Sequence, residues 1–260
     1  MILEKIAERT RQRVEDRKRK IPPEVMRKMA VEKERGDFSF ERALRSPGLS
    51  FICEVKKASP SKGVIAEDYP YLQIAADYEA AGADAISVLT EPYFFLGDDR
   101  HLEEIASSVS IPVLRKDFTV DEYMIYEAKV LGADAVLLIC SLLGPDQLRE
   151  YLHIAGELGL SAIAEAHDGA EIERALAAGA SIIGVNNRNL RDFTVDLGNG
   201  ARLRKEVPEG VVFVSESGIR SSQDIAALRE NGADAVLIGE ALMRSDDRRA
   251  ALRRFREAGM

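Results

Sequence analysis

Residues 81–90 read AGADAISVLT, and the pattern returns as LGADAVLLIC at 131–140, AGASIIGVNN at 178–187 and NGADAVLIGE at 231–240. Each copy sets a glycine (Gly82, Gly132, Gly179 or Gly232) where a helix ends and an unbroken apolar run begins. Glycine tolerates the left-handed backbone of a helix C-terminus, and a continuous apolar run is what a strand covered on both faces needs. The glycines lie 50, 47 and 53 residues apart, about two strand–helix units each. The four runs are therefore the even-numbered strands of a longer series.

The odd-numbered strands fall between them. Apolar runs at 51–56, 84–89, 112–116, 134–139, 161–165, 181–186, 211–215 and 234–238 give eight strands. Amphipathic stretches at 71–81, 100–107, 121–131, 146–158, 169–178, 200–205, 222–231 and 248–258 alternate with them as helices. The fold class expected is α/β, a (β/α)8 TIM barrel with an N-terminal helical extension, and one domain over 1–260. A doubly wound open sheet is the alternative, but it wants a Gly-rich turn after its first strand, and KKASPSKG is not one. Residues 1–50 form the extension: helices to about residue 35, broken at Ile21-Pro22-Pro23, then a linker at 38–49 with Pro47-Gly48 as its turn.

Composition narrows the class further. With 46% hydrophobic and 31% charged residues the chain is an ordinary globular protein, and no apolar run approaches a membrane span. The opening MILEKIAERTRQRVEDRKRK lacks a signal-peptide apolar segment, so a cytoplasmic protein with no membrane partner is expected. A net charge of −8 speaks against nucleic acid, and the basic run from Arg9 to Lys20 reads as a solvated helix face. The two cysteines, Cys53 and Cys140, sit in apolar runs and read as reduced core thiols. The expected assembly is a monomer or weak homo-oligomer.

Function should lie at the strand C-termini, where barrels keep their ligands. In the first strand, FICEVKKASPSKG at 51–63, alternation puts Glu54 and Lys56 on one face and Cys53 and Val55 on the other. Charges on a buried strand are costly, so they belong at its mouth. Lys116 follows the third strand, Glu165 the fifth, Asn186 with Arg188 and Asn189 the sixth, and Glu216 the seventh. Lysines and carboxylates facing one cavity perturb each other's proton affinity and can supply a matched acid and base. The bland alternative is an ion-pair network capping the barrel. Ser217-Gly218 and Gly239, after the last two strands, match the place where barrels hold phosphate with backbone N–H groups, or else are plain turns.

Other candidates carry less. His167 reads as a cap on the following helix, and His101 and His153 as surface residues. No Cys/His spacing of ligand type suggests a metal. Phe94-Phe95 and Phe118 fit lids on the barrel core and walls of an aromatic pocket equally well.

The set EVKKASPSKG, TEPYFF, LRKDF, AEAHD, NNRNL, SESGI and LIGEALM, in this order, closely resembles the indole-3-glycerol phosphate synthase family of tryptophan biosynthesis. The resemblance covers nearly the whole chain, the N-terminal helices included. It implies ring closure, decarboxylation and dehydration of a phosphorylated small molecule, 1-(2-carboxyphenylamino)-1-deoxyribulose 5-phosphate, with no cofactor and no metal. It further implies that Lys116 is the general acid for ring closure and Glu165 the base for dehydration. Lys56 resembles the family's second lysine, a substrate-carboxylate contact and alternative proton donor. Glu54, Asn186 and Glu216 resemble orienting polar residues. Ser59, Arg188, Ser217, Gly218 and Gly239 resemble phosphate and ring contacts, with Phe95, Phe118, Leu137 and Leu190 as apolar walls. The N-terminal helices resemble a lid. Glu240 departs from members with serine there; a carboxylate cannot help an anion, so it is expected to turn away.

Three rivals remain: phosphoribosylanthranilate isomerase, a Schiff-base aldolase using Lys56 or Lys116, and a non-catalytic phosphate-ligand barrel. The isomerase would want an inward cysteine on the first strand, and Cys53 is out of phase with Glu54 and Lys56.

Overall fold

The computed structural model describes residues 2–189 and 193–260. Its centre is a closed parallel barrel of β1 (Ser50–Val55), β2 (Ala85–Leu89), β3 (Val113–Lys116), β4 (Ala135–Ile139), β5 (Ser161–Ala166), β6 (Ile182–Asn186), β7 (Val212–Glu216) and β8 (Ala235–Ile238). Strand β1 closes the ring between β2 and β8, with Ile52 opposite Ala85 and Leu237. The open-sheet alternative is thereby excluded.

Three helices precede the barrel: α1 (Ile2–Lys20), α2 (Pro23–Glu32) and α3 (Ser39–Leu44). Around it run α4 (Tyr71–Ala80), α5 (Asp99–Ser108), α6 (Tyr123–Val130), α7 (Pro145–Glu157), α8 (Gly169–Ala177), α9 (Leu197–Leu203), α10 (Ser222–Glu230), α11 (Glu240–Met243) and α12 (Arg248–Ala258). Helix α9 starts earlier than its composition suggested because Asp196 caps it, accepting from Gly198 N; a short 3-10 turn, Arg204–Glu206, completes it. No helix among the described residues is long and apolar enough to cross a membrane.

The repeat has two physical sources. Gly82, Gly132, Gly179 and Gly232 each follow a helix C-cap with φ between 79° and 94°, a backbone that a side chain would strain. The aspartates of the repeat lace neighbouring strands together: Asp84, Asp134 and Asp234 accept from the backbone N–H of Phe51, Val113 and Phe213 at 2.8–2.9 Å.

Alternation sorts the apolar residues into two cores. Phe51, Cys53, Val55, Ile86 and Val88 face the helices, whereas Ile52, Leu114, Leu137, Ile163, Ile182 and Leu237 fill the barrel. The segment read as a linker at 38–49 is corrected here. It contains α3, whose Phe40 and Leu44 are completely buried in the barrel core and plug its N-terminal end. Ser39 Oγ donates to Asp134 Oδ1 at 2.8 Å, and Ser181 Oγ donates to Glu41 Oε2 at 2.7 Å, pinning the plug. A six-residue helix carries too short an apolar period to stand out in sequence.

Candidate active site

The inward register that fills the barrel also delivers the site. Two residues beyond each buried Ile52, Leu114, Ile163, Val214 and Leu237, alternation brings Glu54, Lys116, Glu165, Glu216 and Gly239 to the same inner face. Asn186 ends β6 in the same way, opposite Glu216 in register. These residues line a cavity of about 370 Å³ at the strand C-termini, together with Lys56, Ser59, Phe95, Phe118, Leu137, Arg188, Ser217 and Gly218. Leu190 lies outside the described residues.

At the centre, Lys116 Nζ sits 3.6 Å from Glu165 Oε2 and 3.7 Å from Glu216 Oε2. Burial favours the neutral amine, but the charges of Glu165, Glu216 and Glu54 outweigh it and raise the Lys116 pKa. Lys116 is held as an ammonium. Glu165 and Glu216 divide in opposite directions. Burial acts to raise Glu165, yet Lys116, His167 and the Asn186 amide, which donates to Oε1 at 3.3 Å, hold it below the usual carboxylate range. Burial and the neighbouring charge of Glu165 push Glu216 up to about 8. One carboxylate is thus a ready base while its neighbour tends to keep a proton.

Lys56 Nζ donates to Glu54 Oε1 beside this cluster. Gly239 explains itself there: a Cβ at that position would stand 2.4 Å from Glu54 Oε1 and 3.0 Å from Lys56 Nζ. Ser217 and Gly218 both have positive φ, 66° and 90°, so the backbone turns sharply as it leaves β7. A Cβ on Gly218 would meet Val195 Cγ1 at 2.4 Å. This close-packed turn and Gly239 together form a glycine-lined end of the cavity, suited to an anion.

The opposite wall is apolar. The Phe95 and Phe118 rings pack with centroids 5.9 Å apart, and Leu137 and Ile139 line the same cavity. Glu91, fully buried, accepts from the backbone N–H groups of Tyr93, Phe94 and Phe95 and so shapes the loop that presents Phe95. Helix α1 contributes Ile2, Leu3 and Ile6 to the cavity.

Four expectations need correction. Glu240 does not turn away: it lines the cavity and lies within ion-pair distance of Lys62 (3.3 Å), Arg244 (3.4 Å) and Arg188 (3.9 Å). Three cations compensate its charge. The basic run of α1 is not simply a solvated face, since Arg13 is buried against Asp117 and Arg17 pairs with Asp99 and Glu127. His101 is 8% exposed and packs against the Tyr69 and Tyr71 rings. His167 does not cap α8; Asp168 does, accepting from Glu171 N. His153 is exposed as expected. No sequence signal within α1 identifies Arg13, because its partner lies 104 residues away.

Among the described residues no cluster of three His, Cys, Asp or Glu side chains could hold a metal ion. Fold and cavity together define a (β/α)8 barrel with a cluster of lysines and carboxylates facing a glycine-lined turn at the strand C-termini. Two solved structures share the fold: 3-hexulose-6-phosphate synthase from Salmonella typhimurium has a TM-score of 0.67 at 17% identity, covering 81% of this chain and 98% of that one. Thiamine phosphate pyrophosphorylase from Pyrococcus furiosus has a TM-score of 0.61 at 18% identity, covering 81% and 95%. The chain belongs to the indole-3-glycerol phosphate synthase family, whose profile matches residues 3–255. The indole-3-glycerol phosphate synthase of Ruminiclostridium cellulolyticum is 58% identical over 257 residues, covering 98% of this chain and 99% of the relative. That of Endomicrobium trichonymphae is 55% identical over 258 residues, covering 99% and 100%.

Proposed function

We propose that the chain is a carboxy-lyase that converts 1-(2-carboxyphenylamino)-1-deoxyribulose 5-phosphate to indole-3-glycerol phosphate in tryptophan biosynthesis. The observation that carries this reading is the placing of Lys116 between Glu165 and Glu216, with the Glu54–Lys56 pair alongside, in one cavity. The phosphate seats against Ser59, Ser217-Gly218 and Gly239, with Arg188 nearby. The anilino ring stacks among Phe95, Phe118 and Leu137, which turns the two equal readings of the phenylalanines towards pocket walls.

Orientation of this kind holds the ring carbon that bears the carboxylate against the ketone. Lys116 donates a proton to the ketone oxygen as the carbon–carbon bond forms, and carbon dioxide leaves to restore the aromatic ring. The new hydroxyl departs as water with a proton from a lysine, while Glu165 takes the proton from the adjacent carbon. Lys56 binds the substrate carboxylate and serves as the second donor. Glu54, Asn186 and Glu216 orient these groups. The chain acts as one domain in the cytoplasm with no cofactor; of the N-terminal extension, α1 lies at the mouth, whereas α3 closes the opposite end. An absorbance assay for indole formation from the named substrate tests the proposal; no product under saturating substrate refutes it.

A further inference from the structure

His167 stands outside the residues assigned to the reaction, yet its ring bridges two carboxylates. It lies two residues beyond Glu165, just past the end of β5 at Ala166. Its Nε2 is 3.6 Å from Glu165 Oε1, buried and without a hydrogen-bond partner among the described residues. Its Nδ1 is 3.3 Å from Glu171 Oε2 on α8. Two backbone contacts fix the residue: its N–H donates to Glu171 Oε2 at 2.8 Å, and Asn199 Nδ2 on α9 donates to its carbonyl at 3.4 Å. A buried polar nitrogen aimed at a carboxylate without a hydrogen bond costs stability and calls for a reason.

The surroundings suggest one. A second cavity of about 480 Å³ is lined by His167, Glu171, Asn187, Asn199 and Arg202 among others, with Lys116 not in its wall. The charged groups facing the imidazole are Glu165 of β5, Glu171 of α8 with Arg174 at 3.7 Å behind it, and Glu216 of β7. Burial favours the neutral ring, but the Glu171 hydrogen bond and the charges of Glu165, Glu171 and Glu216 raise its pKa. With Nδ1–H turned to Glu171, a neutral ring leaves Nε2 open to accept a proton, and the two carboxylates stabilise the imidazolium that results.

We infer that His167, supported by Glu171, is the relay that relieves Glu165 of the proton it takes from the substrate. The inference rests on the reading of Glu165 as base. The Glu165 O–H bond breaks as an Nε2–H bond forms, ionised Glu171 holds the resulting imidazolium, and the ring then returns a proton to water in the second cavity. Glu165 is left ionised for the next turnover, the lysines that gave protons are recharged from water, and no oxidant or reductant is involved. His167 acts through Glu165 and never touches the substrate.

The test compares His167→Ala and His167→Gln with the parent in single-turnover and steady-state kinetics, with thermal melting as a check on folding. Glu165 starts ionised in the variants, so the first turnover should run at close to the parent rate. Later turnovers should slow by about 10-fold or more, with kcat/KM unchanged and KM falling in step with kcat. Added imidazole should restore the steady state of His167→Ala, and more basic imidazoles should restore it better. His167→Gln, whose side chain still fills the site, should not respond. Steady-state turnover within about twofold of the parent in both variants overturns the relay. So does a first turnover slowed as much as later ones without imidazole rescue, which is the mark of a structural role. Parent-like turnover in Glu165→Gln is a separate result that overturns the assignment of the base itself.

Discussion

The Arg13 guanidinium donates to both carboxylate oxygens of Asp117 at 2.8 Å each, and Asp117 is the neighbour of Lys116 in the chain. Helix α1 is thereby joined to the strand end that carries the candidate acid. Thr90 Oγ1 donates to Asp117 Oδ2 at 2.6 Å, and Arg115 links the same cluster to Asp99 and Glu127. Burial would raise the Asp117 pKa, yet Arg13 and Arg115 hold it low. Removing Arg13 leaves the buried Asp117 charge with only Arg115, 3.8 Å away, as a cation, at a cost of up to about 3–5 kcal/mol. Arg13→Ala should lower the urea midpoint accordingly and reduce turnover as well, because the backbone on which Lys116 sits loses its anchor. A variant with unchanged denaturation would show that the pair does not couple α1 to the barrel.

Lys116→Ala should lose about 10²- to 10⁴-fold in kcat while still binding the phosphorylated substrate, since general acid catalysis contributes on that order. Near-parent turnover would rule out Lys116 as the acid. Glu165→Gln should carry out ring closure and stall before dehydration. Quenched reactions analysed by mass spectrometry should then contain a decarboxylated intermediate that keeps its hydroxyl.

Gly239→Ala should impair binding and turnover together. Its new methyl would meet the Glu54 carboxylate at 2.4 Å and the Lys56 ammonium at 3.0 Å. Displacing either group by about 1 Å is enough to cost on the order of 10²-fold in rate. Steady-state kinetics of this one variant, with melting as the control, reads the effect; parent-like kcat/KM would mean that the pair tolerates the shift.

Glu216 makes a pH prediction with a definite sign. Its folded pKa, about 8, lies above its ordinary value of 4.5, so the folded state binds more protons than the unfolded state between these two points. The stability it contributes is full below about pH 4.5 and is lost as the pH rises towards 8. Denaturation curves at successive pH values should show the parent losing stability relative to Glu216→Gln across this window. A difference that stays constant with pH would mean that Glu216 ionises normally in the fold.

The alternation of strands and helices was legible because it is local. A glycine after each C-cap and an apolar run behind it report backbone conformation and burial over about ten residues, and Gly82, Gly132, Gly179 and Gly232 thereby mark the starts of the even strands. The period of two within a strand likewise separated Glu54 and Lys56 from Cys53. Together with the resemblance of the strand-end motifs, this was enough to gather the described candidate residues into one cavity.

Tertiary structure alone decided which of those residues meet. Lys116 faces Glu165 and Glu216 across three strands, Glu240 draws in Lys62, Arg188 and Arg244, and Phe40 enters the bottom of the barrel from a stretch that reads as linker. Arg13 reaches Asp117 over a separation of 104 residues, and His167 meets both Glu165 and Glu171 through the turn from β5 into α8. Such contacts follow from how the barrel closes and how its strands are staggered, and closure depends on the whole ring at once. Spacing along the chain determines the face a side chain takes; only the closed ring determines its neighbours and therefore its charge.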